Sequence, residues 1–494
     1  MKPSFIINIS IFFTGFAGIV AEYSISTMAT YLLGNAVFQW SVIISLFLLF
    51  MGLGSHLSRY ISDKYLISTF IFAELLLSIY VSTSPLIAYS FAYDLMELQI
   101  VIYILSGIIG TLIGLEVPIA VRINNLYEEL KVNISAILEK DYLGAVPAGL
   151  FYAYFFLPKL GLIYTPLLAG FLNLITAILF AFYLHRGKLL KIIPPAVAIF
   201  LILYGIFAKD LILYQEQKLY GEKIIYFEIT PYQKIILTQY RSNYSLYLDG
   251  HLQFSTLDEV RYHETLVHIP AGFLKNFKRA LILGGGDGLA LREVKKYPFE
   301  EITLVDLDKK LIEFSTYHPV MRKLNESSFR DPRIKTISED AFNFVLSETK
   351  KYDLVIIDLI DPRTPSSARV YSLEFYRKLK SLLAKDGVFI TQAGDVFFKR
   401  NVFCSILRTI KSAGFKAVPL VVNIPTMGEW GFIIGSKSRL DFENLKLLPK
   451  LKFLNKDIAL SAYLLGKSVK CKDEEINTIL KPVILHYYYS SEYY

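Results

Sequence analysis

Length, composition and charge exclude several broad classes of protein. At 494 residues with 53% hydrophobic side chains, the chain is too long for one ordinary domain, and its composition changes near residue 210. The net charge of +8 indicates no nucleic-acid partner, because multi-spanning proteins concentrate basic residues in their loops, and no basic stripe, zinc spacing or recognition helix is present. Cys404 and Cys471 lack metal-ligand spacing, so we predict packing residues that form neither a disulfide framework nor a zinc site.

The first 208 residues are predicted to form a multi-span α-helical membrane domain. A helical crossing of the bilayer needs about 20 apolar residues. The first apolar run is too long for a signal peptide and is followed by further spans, so we expect it to stay as an anchor. Seven apolar runs meet or approach the required length: 5–33, 37–57, 66–88, 100–121, 142–157, 163–184 and 192–207.

The rest of the chain shows a different periodicity. Residues 209–221 are polar and amphipathic, and we expect a linker there. Residues 222–270 contain short runs rich in aromatic and branched side chains, and Asp249-Gly250 is a hairpin signal, so a small antiparallel β domain is predicted. Strand and helix patterns alternate over 271–436, which indicates an α/β Rossmann-like domain of the methyltransferase type. Residues 437–494 form a C-terminal extension without a clear pattern.

Acidic residues follow the predicted strands of this α/β domain. Residues 280–284 are an apolar strand that runs into a glycine turn carrying Asp287, and about 20 residues later a second strand ends at Asp306, in the place of a ribose-binding acid. One acid at a strand end could be a helix cap, but five successive ones indicate a ligand crevice at the carboxyl edge of a parallel sheet. The five are Asp287, Asp306, Asp340, Asp358 and Asp361.

Several motifs occur together in one order over residues 232–435, and they resemble the aminopropyltransferases, the spermidine synthase family. The apolar front part, with the sequence Met-Gly-Leu-Gly-Ser at 51–55, and the sequence Gly-Glu-Trp-Gly-Phe at 428–432 look like the membrane-bound branch of that family. The motifs are Tyr232-Gln233, the hairpin at 248–253, Asp258-Glu259 with Tyr262-His263-Glu264, the turn at 284–288, Asp340-Ala341, Asp358 and Asp361-Pro362.

The resemblance implies a reaction and a co-substrate. In this family, decarboxylated S-adenosylmethionine donates an aminopropyl group from its sulfonium to an amine of a di- or polyamine. By resemblance Asp358 is the base that takes the proton of the attacking amine, and Asp287 and Asp361 hold cationic amines. A good leaving group is already present, so positioning and electrostatics suffice and no metal is implied.

The remaining site residues are carried over from the same motifs. Gln233 and Asp306 are expected to contact the nucleoside, with the glycine turn at Gly284 and Gly286 beside it. The other expected contacts are Asp340 and Ala341 with the adenine, Pro365 in its pocket, and Tyr262 and His263 along the amine channel.

The chain departs from the family pattern around the catalytic acid. Soluble members have a small polar residue after that acid and a Gly-Pro pair soon after Asp-Pro, whereas this chain has Leu359-Ile360 and Arg363-Thr364-Pro365. Arg363 beside an amine pocket leaves the acceptor open between putrescine, a longer amine and a different nucleophile. Soluble members form dimers or tetramers, so a homo-oligomer is one expectation, and a helical bundle that replaces this contact is the other.

Two alternative functions stay open at the level of sequence. One is an S-adenosylmethionine-dependent methyltransferase, which shares the sheet and the ribose acid. The other is a membrane polyamine sensor or transporter whose soluble domain only binds ligand. This second alternative is motivated by Glu22, Glu74 and Glu116, which lie inside apolar runs where ionisable groups are costly and often functional, although interhelical hydrogen bonding would also explain them.

The sidedness of the catalytic domain in the cell membrane is subject to two opposed arguments. Seven spans place the catalytic domain opposite the N-terminus, and the positive-inside rule then puts the N-terminal side in the cytoplasm. The donor, however, is made in the cytosol, so we expect a cytoplasmic catalytic domain and one run, 142–157 or 192–207, that does not fully cross. The loop charges on the N-terminal side are Arg59, Lys64, Arg122, Lys131, Arg186, Lys188 and Lys191.

Overall fold

Seven apolar helices make up most of the first part of the chain. The computed structural model describes residues 3–185 and 187–490, so Arg186 lies outside the described residues. The chain divides into two units, Met1–Pro231 and Tyr232–Tyr494. The helices of the first unit are α1 (Pro3–Leu33), α2 (Ala36–Ser58), α3 (Leu66–Ser90), α4 (Leu95–Asn124), α5 (Leu130–Phe151), α6 (Leu157–Leu179) and α7 (Leu189–Gln217).

The helices coincide with the seven predicted apolar runs. Among the described residues, six helical stretches are long and apolar enough to cross a membrane, and the stretch Leu130–Leu184, of 55 residues, contains both α5 and α6. Gly161, with φ 67° and ψ −173°, interrupts this stretch. The helical character of the first 208 residues is therefore confirmed, while residues 209–217 of the expected linker continue α7.

Glycines allow close contact between α1 and α5, which run in the same direction. A Cβ atom on Gly144 would collide with the carbonyl oxygen of Phe12, and one on Gly149 would lie 3.5 Å from the ring of Tyr23. The later residue of α1, Tyr23, meets the later residue of α5, Gly149, so the two helices are parallel. Small residues at such contacts are the usual means of packing apolar helices closely.

Strand β1 (Lys223–Ile229) ends the first unit, and an antiparallel meander opens the second. The meander consists of β2 (Lys234–Tyr240), β3 (Asn243–Leu248) and β4 (His251–Ser255). Asp249 and Gly250 both have positive φ, 50° and 79°, as a two-residue hairpin turn with the twist of its strands requires. The predicted hairpin is therefore confirmed.

A seven-stranded sheet forms the centre of the second unit, in the order β10-β11-β9-β8-β5-β6-β7. Strands β5 to β9 are parallel, and β11 and β10 add antiparallel strands at one edge. The strand order reverses between β5 and β8, where a parallel sheet opens a crevice at its carboxyl edge. The strands are β5 (Arg279–Gly284), β6 (Glu301–Asp306), β7 (Ile334–Ser338), β8 (Tyr352–Asp358), β9 (Leu383–Asp395), β10 (Lys416–Ile424) and β11 (Gly428–Ser436).

Helices cover both faces of this sheet, which confirms the α/β Rossmann-like fold. Successive strand residues point to opposite faces, so Val355 belongs to one buried core and Ile356 to the other. The helices are α8 (Glu259–Ala271), α9 (Leu289–Val294), α10 (Lys309–Tyr317), α11 (Pro319–Leu324), α12 (Ala341–Ser347), α13 (Pro365–Ala368), α14 (Leu373–Leu382), α15 (Arg400–Ser412), α16 (Lys456–Ser468) and α17 (Val483–Ser490).

The C-terminal extension is folded onto the sheet domain. The prediction that Cys404 and Cys471 are unpaired packing residues is wrong, because they form a disulfide that joins α15 to the segment after α16. Their separation of 67 residues gives no local sequence signal of pairing. Ile484 of α17 is fully buried in the core that also contains α15, and the Glu264 carboxylate of α8 accepts hydrogen bonds from three successive backbone N–H groups at 452–454.

Candidate active site

The glycine turn after β5 brings the backbone of two central strands together. Gly284 pairs with Asp358 across β5 and β8, and a Cβ atom on Gly284 would collide with the Asp358 carbonyl oxygen. The φ values of Gly284 and Gly285 are 84° and 65°, which side-chain-bearing residues rarely adopt. Gly285 N–H donates to the Asp358 carbonyl oxygen at 3.2 Å. The turn therefore fixes the end of β8 and leaves its backbone open to a ligand.

Asp306 at the end of β6 is held by the same turn. Its carboxylate accepts hydrogen bonds from Gly286 N–H at 3.0 Å and from Asp308 N–H at 2.9 Å. Burial raises the pKa of Asp306 to about 6, although the two backbone donors act in the opposite direction. Gln233 lies next to this group, and its amide donates to Asp308 at 3.0 Å. The structure thus brings Gln233, Gly286 and Asp306 to one place, while their contacts with a nucleoside stay a prediction.

Asp358 and Asp287 form the electrostatic centre of the site. Burial raises the pKa of Asp358 to about 6, and the nearby charge of Asp287 adds to the rise. The Tyr262 hydroxyl donates a hydrogen bond to Asp358 Oδ1 at 2.6 Å, and this bond lowers the pKa of Asp358 against the effect of burial. The pKa of Asp287 is also raised by burial, while its Oδ1 accepts from Leu289 N–H at 2.7 Å at the start of α9. Two neighbouring half-buried carboxylates whose pKa values are both raised favour a cationic ligand.

His263 acts electrostatically on both carboxylates, and Arg292 also acts on Asp287. Its Nδ1 lies 2.8 Å from Glu259 Oε2, and Arg292 donates to the two oxygens of Glu259 at 3.0 and 2.9 Å. Burial opposes ionisation of Glu259, but His263 and Arg292 hold its pKa at about 2. Burial likewise lowers the pKa of His263, and the Glu259 carboxylate outweighs this and raises it. His263 is therefore fixed by a buried ion-pair chain and faces Asp287 and Asp358.

Asp361 lies at a second acidic position, with two neighbours that sequence reasoning missed. Gln392 donates to Asp361 Oδ1 at 3.2 Å and to the Tyr371 hydroxyl at 2.9 Å. Burial raises the pKa of Tyr371 above its usual value, and the charges of Asp361 and Asp358 add to this rise, so Tyr371 lies near both acids. Gln392 lies in β9 and Tyr371 in a short helical turn, and neither belongs to a sequence motif. Only the folded structure therefore shows that they are neighbours of Asp361.

Asp340 and Pro365 have structural partners of their own. Asp340 caps α12 by accepting from Asn343 N–H at 3.0 Å, and it pairs with Arg369 at 2.8 Å. Ala341 begins α12, and Pro365 begins α13 in an exposed position. The Asp340 position at the end of β7, beside β6, agrees with the predicted crevice, while the adenine contacts of these residues stay predictions.

Potential metal ligands occur together at one place in the described parts of the chain. Cys404, Cys471 and Glu474 have ligand atoms within 4.8 Å of one another, but the two sulfurs are bonded to each other in the disulfide. None of these three residues belongs to the predicted site.

Comparisons with known proteins show the family of the chain. A model of the spermine/spermidine synthase domain matches residues 259–446. The chain is 65% identical over 489 residues to polyamine aminopropyltransferase 2 of Aquifex aeolicus (strain VF5), a match that covers 99% of each chain. The chain belongs to the polyamine aminopropyltransferase family.

Other matches cover most of the chain or half of it. A polyamine aminopropyltransferase of Leptospira interrogans is 37% identical over 486 residues, which is 97% of each chain. A solved spermidine synthase in complex with the transition state analogue AdoDATO is 28% identical and covers 50% of this chain and 87% of its own, with a TM-score of 0.46. Because the family is that of the aminopropyltransferases, the methyltransferase alternative is set aside.

The raised pKa of Asp358 predicts that the negative charge of this residue lowers the stability of the folded protein. A raised carboxyl pKa means that the native state binds more protons than the unfolded chain between pH 3.8 and about 6, so the ionised group destabilises the fold above that window. Asp358→Asn should therefore raise the thermal unfolding midpoint at pH 8, by an amount equivalent to at most about 3 kcal/mol. The gain should shrink as the pH falls from 6 towards 4.

Asp353→Asn is the matched control for this measurement. Asp353 accepts backbone hydrogen bonds from Lys278 and Arg279 at 2.9 and 3.0 Å, so loss of its charge should lower the midpoint or leave it unchanged. Scanning calorimetry of both variants at several pH values checks the difference. A lower midpoint for Asp358→Asn than for the unchanged protein at pH 8 would contradict the electrostatic description of the site.

Proposed function

We propose that the unit 232–494 transfers the aminopropyl group of decarboxylated S-adenosylmethionine to putrescine or a related amine, giving spermidine and methylthioadenosine. The observation that carries this proposal is the pair of neighbouring half-buried carboxylates, Asp287 and Asp358, at the carboxyl edge of β5 and β8. A donor that has lost its carboxylate and an amine acceptor are both cationic, so each compensates buried negative charge. The family membership of the chain supports the same reaction.

The chemical step needs a base and a fixed line of attack. A neutral amine nitrogen forms a bond to the aminopropyl carbon next to the sulfonium, and the carbon–sulfur bond breaks with its electrons moving to sulfur. The nitrogen then carries an extra proton, which Asp358 takes. Tyr262 holds the Asp358 carboxylate at 2.6 Å and so sets its orientation towards the acceptor. The raised pKa of Asp358, about 6, makes it a stronger base than an exposed aspartate.

The donor occupies the glycine turn and the ends of β6 and β7 in this proposal. Asp306, oriented by two backbone N–H groups, binds the ribose hydroxyls, and Gln233 lies beside it. Asp340 with Ala341 contacts the adenine, and Pro365 lines its pocket. Gly284 and Gly286 allow the nucleoside to approach the backbone.

The acceptor occupies the channel between the two acidic positions. Tyr262 and His263 line it, Asp287 holds the amine of the donor, and Asp361 holds the distal ammonium of the acceptor. Asp361 is suited to this role because it accepts a hydrogen bond from Gln392 and otherwise makes a long ion pair with Arg363, with 3.6 Å between the charged groups. A protonated amine can replace that contact.

Asp358→Asn tests the base assignment. Shape and the hydrogen bond from Tyr262 are retained but the proton acceptor is lost, so turnover should fall about 100-fold or more with donor affinity nearly unchanged. In the unchanged protein, kcat/KM should fall as the pH drops below about 6, where Asp358 becomes protonated. Product analysis by mass spectrometry measures the turnover, and calorimetric titration of the donor measures its affinity. An equal loss of donor affinity would count against Asp358 as the base.

Arg363 is proposed to limit the length of the acceptor. Its guanidinium lies 3.6 Å from Asp361, and its Nε donates to the Tyr488 hydroxyl of α17 at 2.9 Å, while Tyr489 donates to its carbonyl oxygen at 2.7 Å. The C-terminal helix thus holds a positive charge directly beyond the position given to the distal ammonium. A third ammonium group, as in a triamine, would meet this charge, so putrescine or another diamine is favoured.

Removal of the Arg363 charge should allow the enzyme to use longer amines as acceptors. In Arg363→Ala, the ratio of kcat/KM for spermidine to that for putrescine should rise about tenfold, because one like-charge contact is worth at least that factor. Arg363→Lys keeps the charge and serves as the matched control with a ratio near that of the unchanged protein. If both variants keep the original ratio, Arg363 does not set acceptor length.

The first unit is proposed to span the cell membrane, with the catalytic unit in the cytoplasm. Six long apolar helical stretches support the insertion, and the cytosolic origin of the donor supports the placement. A cytoplasmic catalytic unit requires that one of the seven helices does not cross. The parallel packing of α5 on α1 fits successive crossings up to α5, so it leaves the run 192–207 in α7 as the one that does not cross. The basic loops on the N-terminal side argue for the opposite face.

A reporter fused to the C-terminus decides the sidedness. We expect a reporter that is active only in the cytoplasm to be active, and a reporter that is active only after export to be silent. The same two reporters placed after residue 62, between α2 and α3, give the internal reference for the N-terminal side. Activity of the exported-side reporter at the C-terminus would overturn the cytoplasmic placement.

A further inference from the structure

The turn of α8 that contains His263 lies over the end of β8. The hydroxyl of the preceding residue, Tyr262, donates to Asp358 at 2.6 Å. The rings of Tyr262 and His263 meet edge to face, with 5.1 Å between their centroids, and the His263 side chain is only 2% exposed. A histidine in this position contributes to the site through its ring nitrogens, so the protonation of each nitrogen has a consequence for ligand binding.

The Nδ1 nitrogen of His263 carries a proton whatever the charge of the ring. It lies 2.9 Å from the Glu259 carbonyl oxygen and 2.8 Å from Glu259 Oε2. The carboxyl group of Glu259 is ionised, because Arg292 donates to both of its oxygens and the pKa of Glu259 is held at about 2. Both neighbours of Nδ1 are therefore acceptors, and Nε2 is the nitrogen that gains or loses a proton.

This Nε2 nitrogen has no hydrogen-bond partner in the part of the chain that the structure describes. A polar atom without a protein partner on so deeply buried a side chain indicates that a ligand or water bonds to it. The surrounding charges favour a protonated Nε2, because Glu259 on α8, Asp287 after β5 and Asp358 on β8 all raise the pKa of His263 against the effect of burial. The imidazole is therefore cationic in the protein without substrate.

The balance of charge at this position changes when a cationic substrate binds. Among the described residues, three ionised carboxyl groups act on one another here, those of Glu259, Asp287 and Asp358. Two cations oppose them, Arg292 and the His263 imidazolium, so one negative charge is in excess. The donor of the proposed reaction adds two positive charges, on its sulfonium and its ammonium. Loss of one proton then restores neutrality, which a site shielded from water favours.

We propose that His263 exchanges a proton for a cationic substrate. Its Nε2 nitrogen is protonated in the protein without substrate and releases this proton to solvent when the donor binds. The neutral Nε2 then accepts a hydrogen bond from an amine N–H of the substrate. Glu259, fixed by Arg292, is the positioning residue, because its carbonyl and carboxylate oxygens keep the other ring proton on Nδ1. The identity of the ligand rests on the proposed function.

Calorimetric titration of the full-length protein in detergent with decarboxylated S-adenosylmethionine tests the exchange. Titrations in buffers of different ionisation enthalpy count the protons released, which should be about 0.5 to 1 at pH 7. At that pH Asp358, with a pKa of about 6, is already ionised and contributes little. The affinity for the donor should rise with pH and become constant once His263 is neutral in the protein without substrate. Methylthioadenosine, which lacks both positive charges, should bind without proton release.

Variants assign the proton to His263. His263→Gln keeps a hydrogen-bond acceptor but does not titrate, so it should bind the donor with release near zero. His486→Gln, at an exposed histidine of α17, is the matched control and should release as many protons as the unchanged protein. Glu259→Gln removes a charge that favours the imidazolium, so the pH dependence of donor affinity should move to lower pH, whereas Glu259→Asp should keep it. Binding of methylthioadenosine shows that each variant is folded.

The outcomes separate the exchange from the proposed function. Donor binding without proton release, or release that persists in His263→Gln, would overturn the exchange alone. An unchanged pH dependence in Glu259→Gln would overturn the positioning role of Glu259, since a merely structural residue would not shift it. Absence of donor binding to the unchanged protein would overturn the proposed function and the exchange together.

Discussion

The close placement of Asp287 and Asp358 at the carboxyl edge of the sheet is the constraint on which the proposed site depends. Asp287 and Asp358 are half-buried close to each other, His263 acts on both of them, and Arg292 also acts on Asp287. Burial of this kind opposes folding unless a ligand compensates it. The reaction we propose uses two cationic substrates, so the same charge that destabilises the empty protein selects and orients them.

The fold maintains this arrangement through backbone contacts and a buried ion-pair chain. The glycine turn after β5 bonds the end of β8 through Gly285 N–H and Asp306 through Gly286 N–H, so hydrogen bonds join the ends of β5, β6 and β8. Glu259 joins His263 to Arg292 across α8 and α9. Two further acids next to these residues in sequence bond to distant segments. Asp258 accepts a hydrogen bond from Thr426 N–H in the β10–β11 turn, and Glu264 accepts one from Lys452 N–H in the C-terminal extension. The site is therefore a product of the whole unit.

The sequence was informative where chemistry and local pattern coincide. The apolar runs, the hairpin at Asp249-Gly250 and the acids at strand ends could be predicted, because each depends on neighbouring residues in the chain. The disulfide between Cys404 and Cys471, the position of Gln392 beside Asp361, and the contact of Tyr488 with Arg363 could not. These contacts join segments that lie far apart in sequence, and nothing in the local pattern of either partner specifies the other.

The central claim, that the half-buried carboxylates of Asp287 and Asp358 recognise cationic substrates, is tested most directly by comparing two donors in calorimetry. Decarboxylated S-adenosylmethionine and S-adenosylmethionine differ by one carboxylate, which would lie near Asp287. We predict that the decarboxylated donor binds about 100-fold more tightly, and that Asp287→Asn removes most of this difference. Equal affinities for the two donors, or a difference that survives in Asp287→Asn, would contradict the account.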